Sequence, residues 1–406
     1  MTRREELFDR ICKVMPYGSS TASKAAQYMP EEPALVERAE GCRVWDVDGR
    51  EFIDYRNGLG PITLGYCYPA VDQAIAEQLG KGIIFSHPHR LECEVAELLT
   101  EIIPGVEQAR FLKTGGEAIA ACFRLARACT GREHILQIGY NGWINSVAAG
   151  GQFRPGVISE DTPPGVPADL ARVHHSVGWN DLAELQRLFD CLDGQVAAVC
   201  VAAAYADMAA GETFYPALRE LTRRHGALLI FDEIVTGFRV ALGGVQEYFG
   251  VVPDLAVFAK GVANGMPLSV YCGRREVMSV CDRGGRTVIS TTYGGEALSL
   301  AAAKAVIGVY RTQDVVGALW QRGEFLWSGV NARFEKHGIP IRLKGFWPCP
   351  QFVVEAGAPE ELLGRFFRAA YRHGVMLYNV SYVNFSHTEA DLQSTLERLD
   401  MAMAEL

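Results

Sequence analysis

Two hydrophobic periods take turns along the middle of this chain. LECEVAELLTEII and EAIAACFRLARAC repeat their apolar residues at helical spacing, whereas ARFLK, HILQI, AAVCVAA, GALLIFD, DLAVFA and LSVYCG are apolar runs of strand length. Such alternation implies crossover connections, which join parallel strands and lay helices on both faces of the sheet. The pattern predicts an α/β protein whose large domain is a mostly parallel sheet between helices.

The flanks read differently. After the helical run EALSLAAAKAVIGVY (296–310), the stretches IRLKG, PQFVVEA and VMLYNVSYVNF are strand-like, with ELLGRFFRAAYRHG as a helix between them and a closing helix at about 388–405. This predicts a smaller αβ domain. Near the start, a helical segment precedes RVWDVDGREFIDY, which alternates around Asp48-Gly49, a strong hairpin signal. The predicted divisions are 1–55 packing with the small domain, 56–305 as the large domain and 306–406 as the small one. At 406 residues the chain exceeds the roughly 250–300 that one core serves.

Composition narrows the function. Hydrophobic residues at 49% and charged residues at 21% describe a soluble globular chain. A net charge of -9 without a basic run argues against nucleic acid or an anionic membrane as partner, and no apolar stretch reaches the roughly 20 residues that cross a bilayer. The first residues are too acidic for a signal sequence, so a cytoplasmic protein acting on small molecules is expected. The 11 cysteines are scattered, odd in number and without a C-x-x-C pair, which predicts reduced, mostly buried thiols.

One cation stands out. In AVFAKGVANGMP (256–267), Lys260 is the single charge among small and apolar neighbours. An unpaired ammonium is costly to desolvate, so the lysine either snorkels to solvent or is masked as a Schiff base with an aldehyde cofactor, of which pyridoxal phosphate is the commonest. Asp232 ends the strand-like GALLIFD, and Lys260 follows the next such run; strand carboxyl ends face the ligand crevice in open α/β sheets. The pair reads as a buried salt bridge or as the two groups a pyridinium cofactor needs. In the second reading Lys260 holds the aldehyde carbon and later moves a proton, while Asp232 keeps the ring nitrogen protonated.

Further residues suit the same cofactor. FLKTGGEAIAACFRLAR runs from strand through Thr114-Gly115-Gly116 into a helix, where free N–H groups and the positive helix end can hold phosphate; the bland alternative is a tight turn. Tyr140 in GYNGWINS is a candidate to stack on one face of the ring and Ile234 to pack on the other. His87, Tyr293, Tyr378 and Tyr382 are candidates to face substrate. No metal site is expected, since His87-Pro88-His89 lacks a third ligand at a convincing spacing, and His174-His175 reads as surface.

The segments TGGEA, YNGW, FDEIVTGFR, PDLAVFAKGVANGMP and STTYGGEALS, in this order, resemble the class III pyridoxal-phosphate aminotransferases of fold-type I. The likeness runs from GCRVWDVDGREFIDY to the final helix and is greatest to the glutamate-1-semialdehyde aminomutase branch and its sugar-modifying and antibiotic-pathway relatives. It implies a homodimer with active sites at the subunit interface, and Thr292 matches the threonine that reaches the partner's phosphate. Three departures mark this chain: Asn141 where the family has histidine, Gly116 where it has a hydroxyl residue, and Ala202-Ala203 where it commonly has Glu-Pro. The first two imply a missing side-chain donor at the cofactor. The third implies a bulkier, less charged substrate, of sugar, aminocyclitol or aminoglycoside type, with glutamate or glutamine as amino donor. An aminomutase or epimerase on the same site, and a protein that keeps the cofactor fold without turnover, are the alternatives.

Overall fold

A computed structural model describes residues 3–144 and 164–406. The chain forms two compact units, one of residues 1–69 with 317–406 and the other of residues 70–316. The chain thus passes between them at 69/70 and 316/317, where the sequence suggests 55/56 and 305/306. Local bonds account for the first difference, because Tyr66 pairs with Gly41 in an isolated bridge and its hydroxyl donates to Asp54 Oδ2 at 2.7 Å.

In the unit of residues 70–316, seven strands stand in the order Gln108–Leu112, Ser269–Gly273, Leu255–Phe258, Leu228–Asp232, Val196–Ala202, His134–Ile138 and His174–Val177. Ser269–Gly273 runs antiparallel to both neighbours, and the five strands beyond it are mutually parallel. Every residue of Val196–Ala202 and Leu255–Phe258 is buried, which explains why these strands read as continuous apolar runs rather than as alternations. The helix Gly115–Thr130 lays Ala118, Ile119, Cys122 and Leu125 against Ile135, Ala198, Ile230 and Val257. Each large aliphatic side chain buried there contributes about 1.5–3 kcal/mol. Gln108–Leu112 points the same way as the parallel set, so the ends that deliver Thr114, Asp232, Lys260 and Tyr140 share one edge of the sheet.

In the other unit, Val36–Glu40, Arg43–Asp46 and Glu51–Asp54 form an antiparallel sheet that contains the predicted hairpin, and Val375–Met376 adds in parallel to Glu51–Asp54. Ile341–Lys344 and Gln351–Val354 pair separately. Helices Val315–Lys336 and Leu362–Arg372 supply Trp327, which meets Tyr55 edge-on at 5.2 Å, and Phe334 and Phe366, 4.9 Å apart, while helix Glu389–Met403 supplies Thr395, whose hydroxyl lies 2.7 Å from that of Tyr55.

Two expectations change here. VMLYNVSYVNF is a strand only at Val375–Met376, because Ser381 Oγ accepts from the Tyr378 N–H at 3.1 Å and donates to the Tyr378 carbonyl at 2.8 Å, closing a turn that competes with a ladder. All the cysteines are free, yet Cys12, Cys67, Cys93 and Cys191 are exposed while Cys42, Cys122, Cys200, Cys272 and Cys349 are buried. Among the described residues no helix is long and apolar enough to cross a membrane.

Candidate active site

Asp232 is the last residue of its strand, in register with Val257 on one neighbour and Ala202 on the other. Its side chain is buried, and two donors hold it: the Ile234 N–H reaches Oδ1 at 3.1 Å, and the Asn141 amide Nδ2 reaches Oδ2 at 3.1 Å. Burial pushes its pKa up to about 6, against the pull of these donors and of Lys260. Asn141, which stands where the family has histidine, thus donates its carboxamide to the carboxylate.

The neighbouring acid serves a different purpose. Glu233 is buried and accepts from the Thr236 hydroxyl and from the N–H groups of Val245 and Gln246, each at 2.9 Å. Gly244 lies at φ +76°, and a Cβ there would sit 1.9 Å from Glu233 Oε2. Glu233 therefore ties down the following loop, while Asp232 is held at the strand end by Ile234 and Asn141.

Lys260 emerges two residues beyond Leu255–Phe258 with φ +47°, an uncommon conformation for a residue with a Cβ. Among the described residues its ammonium has no hydrogen-bond partner. Burial lowers its pKa to about 8, opposed by the Asp232 charge and reinforced by Arg239. Among the described residues Lys260 forms no ion pair, and an amine held below its usual range is suited to act as a nucleophile.

The third part is the start of helix Gly115–Thr130. Thr114 caps it, with Oγ1 accepting from the Glu117 N–H at 3.4 Å and Glu117 Oε2 accepting from the Thr114 N–H at 2.8 Å. Helix geometry leaves the Gly115 and Gly116 N–H groups without intrahelical acceptors, so they are available to an anion. Ser269 Oγ donates to the Thr114 carbonyl at 2.8 Å and fixes the turn. A Cβ on Gly115 would lie 2.4 Å from Ile234 Cδ1, which shows how closely Ile234 packs on the helix start. A buried carboxylate, an unbonded amine and an anion-ready helix end on one sheet edge fit pyridoxal phosphate in charge and chemistry.

The remaining predicted residues fall as follows. Tyr140 directly follows Gly139, is 40% exposed and sits at the end of strand His134–Ile138; Asn145 and Ser146 of the same stretch lie outside the described residues. Thr292, Tyr293 and His87 are exposed. Tyr378 and Tyr382 belong to the other unit, where Tyr378 lies under the Arg56 guanidinium at 5.0 Å and Tyr382 donates its N–H to the Tyr55 carbonyl at 2.8 Å. Among the described residues no three His, Cys, Asp or Glu side chains gather as for a metal. His174 is buried, which corrects its reading as a surface residue, and sequence reasoning missed that it leads back to Asp232.

The whole chain has known relatives. The class-III aminotransferase family model matches residues 24–403. A glutamate-1-semialdehyde 2,1-aminomutase of Desulforamulus reducens is 32% identical over 417 residues, covering 97% of this chain and 96% of that protein. Among solved structures, the FumI protein of Sphingopyxis sp. MTA144 in its pyridoxal-phosphate internal aldimine form superposes with a TM-score of 0.89 at 26% identity, covering 100% of this chain and 96% of that one. An omega-transaminase from Sphaerobacter thermophilus superposes with a TM-score of 0.90 at 25% identity, covering 99% of this chain and 97% of that one.

Proposed function

The chain belongs to the class-III aminotransferases, a family of pyridoxal-phosphate enzymes, and we propose that it moves an amino group from glutamate or glutamine to a carbonyl acceptor of sugar, aminocyclitol or aminoglycoside type. The observation that carries amino-group chemistry is the convergence of Lys260, Asp232 and the Thr114–Gly116 helix start on one edge of the sheet. Bound there, the cofactor supplies an aldehyde that condenses with amines and a ring that accepts the electrons of a deprotonated carbon. Lys260 would hold that aldehyde and would carry the proton at the substrate's Cα. Asp232 as an anion would keep a proton on the ring nitrogen. Thr114, Gly115 and Gly116 would hold the phosphate, with Tyr140 and Ile234 as the side chains to flank the ring.

The acceptor class rests on Ala202 and Ala203. Both are buried, and Ala202 is in register with Asp232, so the wall beside the carboxylate is small and uncharged. A neutral wall of small side chains suits a polyhydroxylated carbonyl compound better than a second carboxylate. His87 and Tyr293, both exposed, are the side chains of this unit that we assign to that acceptor.

A second reading keeps the nitrogen within one molecule, as an aminomutase does, and the name of the 32% identical relative favours it. One experiment separates the two: incubation with amino-labelled glutamate or glutamine and a panel of keto-sugars and keto-cyclitols, followed by mass spectrometry. Label in the amine product supports transfer. Rearranged product without label supports the intramolecular reading, and neither product from any acceptor overturns the acceptor class.

We also propose a homodimer that shares its sites. Ile83, Ile84, Phe85 and Tyr293 are exposed, and the Ile83 carbonyl accepts from the Ala297 N–H at 2.8 Å, so this apolar segment adjoins Thr292. Contiguous exposed apolar residues beside a helix start suit an isologous contact. Mixing inactive Lys260→Ala chains with inactive Thr292→Trp chains is expected to restore activity, since mixed dimers contain one site with neither defect. If subunits exchange and no activity returns, Thr292 serves its own chain.

A further inference from the structure

A line of polar side chains leads from Asp232 into the interior of the unit. Asn141 Nδ2 donates to Asp232 Oδ2 at 3.1 Å, Gln137 Nε2 donates to Asn141 Oδ1 at 3.3 Å, and Gln137 Oε1 meets His174 Nδ1 at 2.8 Å. His174 Nε2 lies 2.9 Å from an Arg127 guanidinium nitrogen, and Arg127 Nε donates to the Glu133 carbonyl at 2.8 Å. Asp232, Asn141, Gln137 and His174 are all buried. They come from three strands and the turn after one of them, brought together by the order of the sheet.

The ends of this line dictate its polarity. A guanidinium only donates, so His174 Nε2 accepts and the imidazole proton sits on Nδ1. That proton must face an oxygen, which puts the Gln137 carbonyl toward His174 and its NH2 toward Asn141. Asn141 in turn presents its carbonyl to Gln137 and its NH2 to Asp232. An ionised carboxylate only accepts, so the far end agrees with the near end. One arrangement satisfies every pair; turning either amide over leaves a buried clash of like groups at two junctions.

We propose that Arg127, His174 and Gln137 are positioning residues: they form a one-way hydrogen-bond chain that locks the Asn141 carboxamide as a donor to Asp232 and so favours the ionised form of that carboxylate. The chain works only with a neutral imidazole, because a second imidazole proton would oppose Arg127. Burial and the positive charge of Arg127, with His175 and His134 nearby, hold the His174 pKa down to about 3. Among the described residues the titratable groups that act on Asp232 are Lys260, the thiols of Cys122 and Cys200, the Tyr215 hydroxyl and Glu233, and Glu233 is engaged by Thr236, Val245 and Gln246.

The inference adds to the reading of Asp232 as partner of the ring nitrogen, and its test separates the two. The full-length chain freed of cofactor and labelled with 13C at aspartate carboxyls is titrated by infrared difference spectroscopy, with Asp232→Asn identifying the Asp232 band. His174→Leu is expected to raise the Asp232 midpoint by about 1 pH unit, the scale of one lost donor to a buried carboxylate. Gln137→Met, which removes the middle of the chain without adding charge, is expected to do the same. His174→Asn keeps a donor where Nδ1 stands and should restore the wild-type midpoint. In holoenzyme made with ring-15N cofactor, the ring resonance should move toward that of unprotonated pyridine in His174→Leu and return in His174→Asn. An unmoved Asp232 midpoint in folded His174→Leu or Gln137→Met overturns the chain. A moved midpoint with an unmoved ring resonance supports the chain and overturns the pairing of Asp232 with the ring.

Discussion

Replacing Lys260 by Ala is expected to lower kcat by about 10⁴-fold, the upper end of what a positioned proton carrier contributes, while the protein still takes up pyridoxal phosphate through the Thr114–Gly116 helix start. The two effects separate because the groups differ in task. On the proposed reading the helix start and Asp232 would meet the cofactor with fixed charge, whereas the amine alone would both anchor the aldehyde and move the proton. Stability should not fall with activity. In the cofactor-free protein the Lys260 ammonium lacks a hydrogen-bond partner among the described residues, and its pKa is held down to about 8 by burial, so the charged form is disfavoured in the fold. A lysine whose folded pKa lies below its unfolded value weakens the fold at pH values below the folded pKa; cofactor-free Lys260→Ala should therefore melt no lower than wild type at pH 7, with the difference shrinking toward pH 10. Rapid-quench turnover, cofactor absorbance and melting curves check the three parts. Borohydride reduction of wild type should place the cofactor's mass on the peptide containing Lys260. Wild-type turnover in Lys260→Ala, or the mass on another lysine, would refute the assignment.

Much of this was legible in the sequence, and the reasons differ by element. The parallel strands announced themselves because burial on both faces makes them continuously apolar, as in GALLIFD and DLAVFA, and their carboxyl ends marked Asp232 and Lys260. The helix start at Thr114-Gly115-Gly116 was legible because a threonine followed three residues later by glutamate, ahead of an apolar run, marks a capped N-terminus. His174–Val177 escaped notice because it is an edge strand of the sequence HHSV, with no apolar run to betray it. The role of Asn141 was out of reach for a different cause: its meaning depends on residues 127, 137, 174 and 232, which only the sheet order assembles. VMLYNVSYVNF misled because its alternation suits a strand while the Ser381 hydroxyl closes a turn within it.

Asp232→Ala is expected to raise the barrier by about 2–4 kcal/mol, the scale of one preorganised electrostatic contact at a developing charge. Two features of the structure support an effect on the electronics of the ring rather than on binding. The carboxylate lies at the strand end, held by Ile234 and Asn141, so it is oriented before any ligand arrives. The alanine variant leaves the Asn141 donor without its acceptor but leaves the Thr114–Gly116 helix start intact, so cofactor affinity should fall far less than turnover. The stability effect has the opposite sign, and it varies with pH. Burial raises the Asp232 pKa to about 6, above the ordinary carboxylate value, so the folded protein holds this proton more tightly than the unfolded chain does. Stability contributed by the protonated acid is present below the unfolded pKa and is lost as pH rises through about 6, because ionising the buried group then opposes folding. The cofactor-free Asp232→Ala protein should accordingly gain melting temperature relative to wild type as pH goes from 4 to 8, and with cofactor bound that gain should shrink, since a protonated ring nitrogen compensates the anion. Paired melting curves at pH 4, 6 and 8, with and without cofactor, alongside kcat, test both signs together. Full activity in Asp232→Ala would make the aspartate structural; a pH-independent melting difference would mean that its charge is already compensated within the protein and is not held in reserve for the ring.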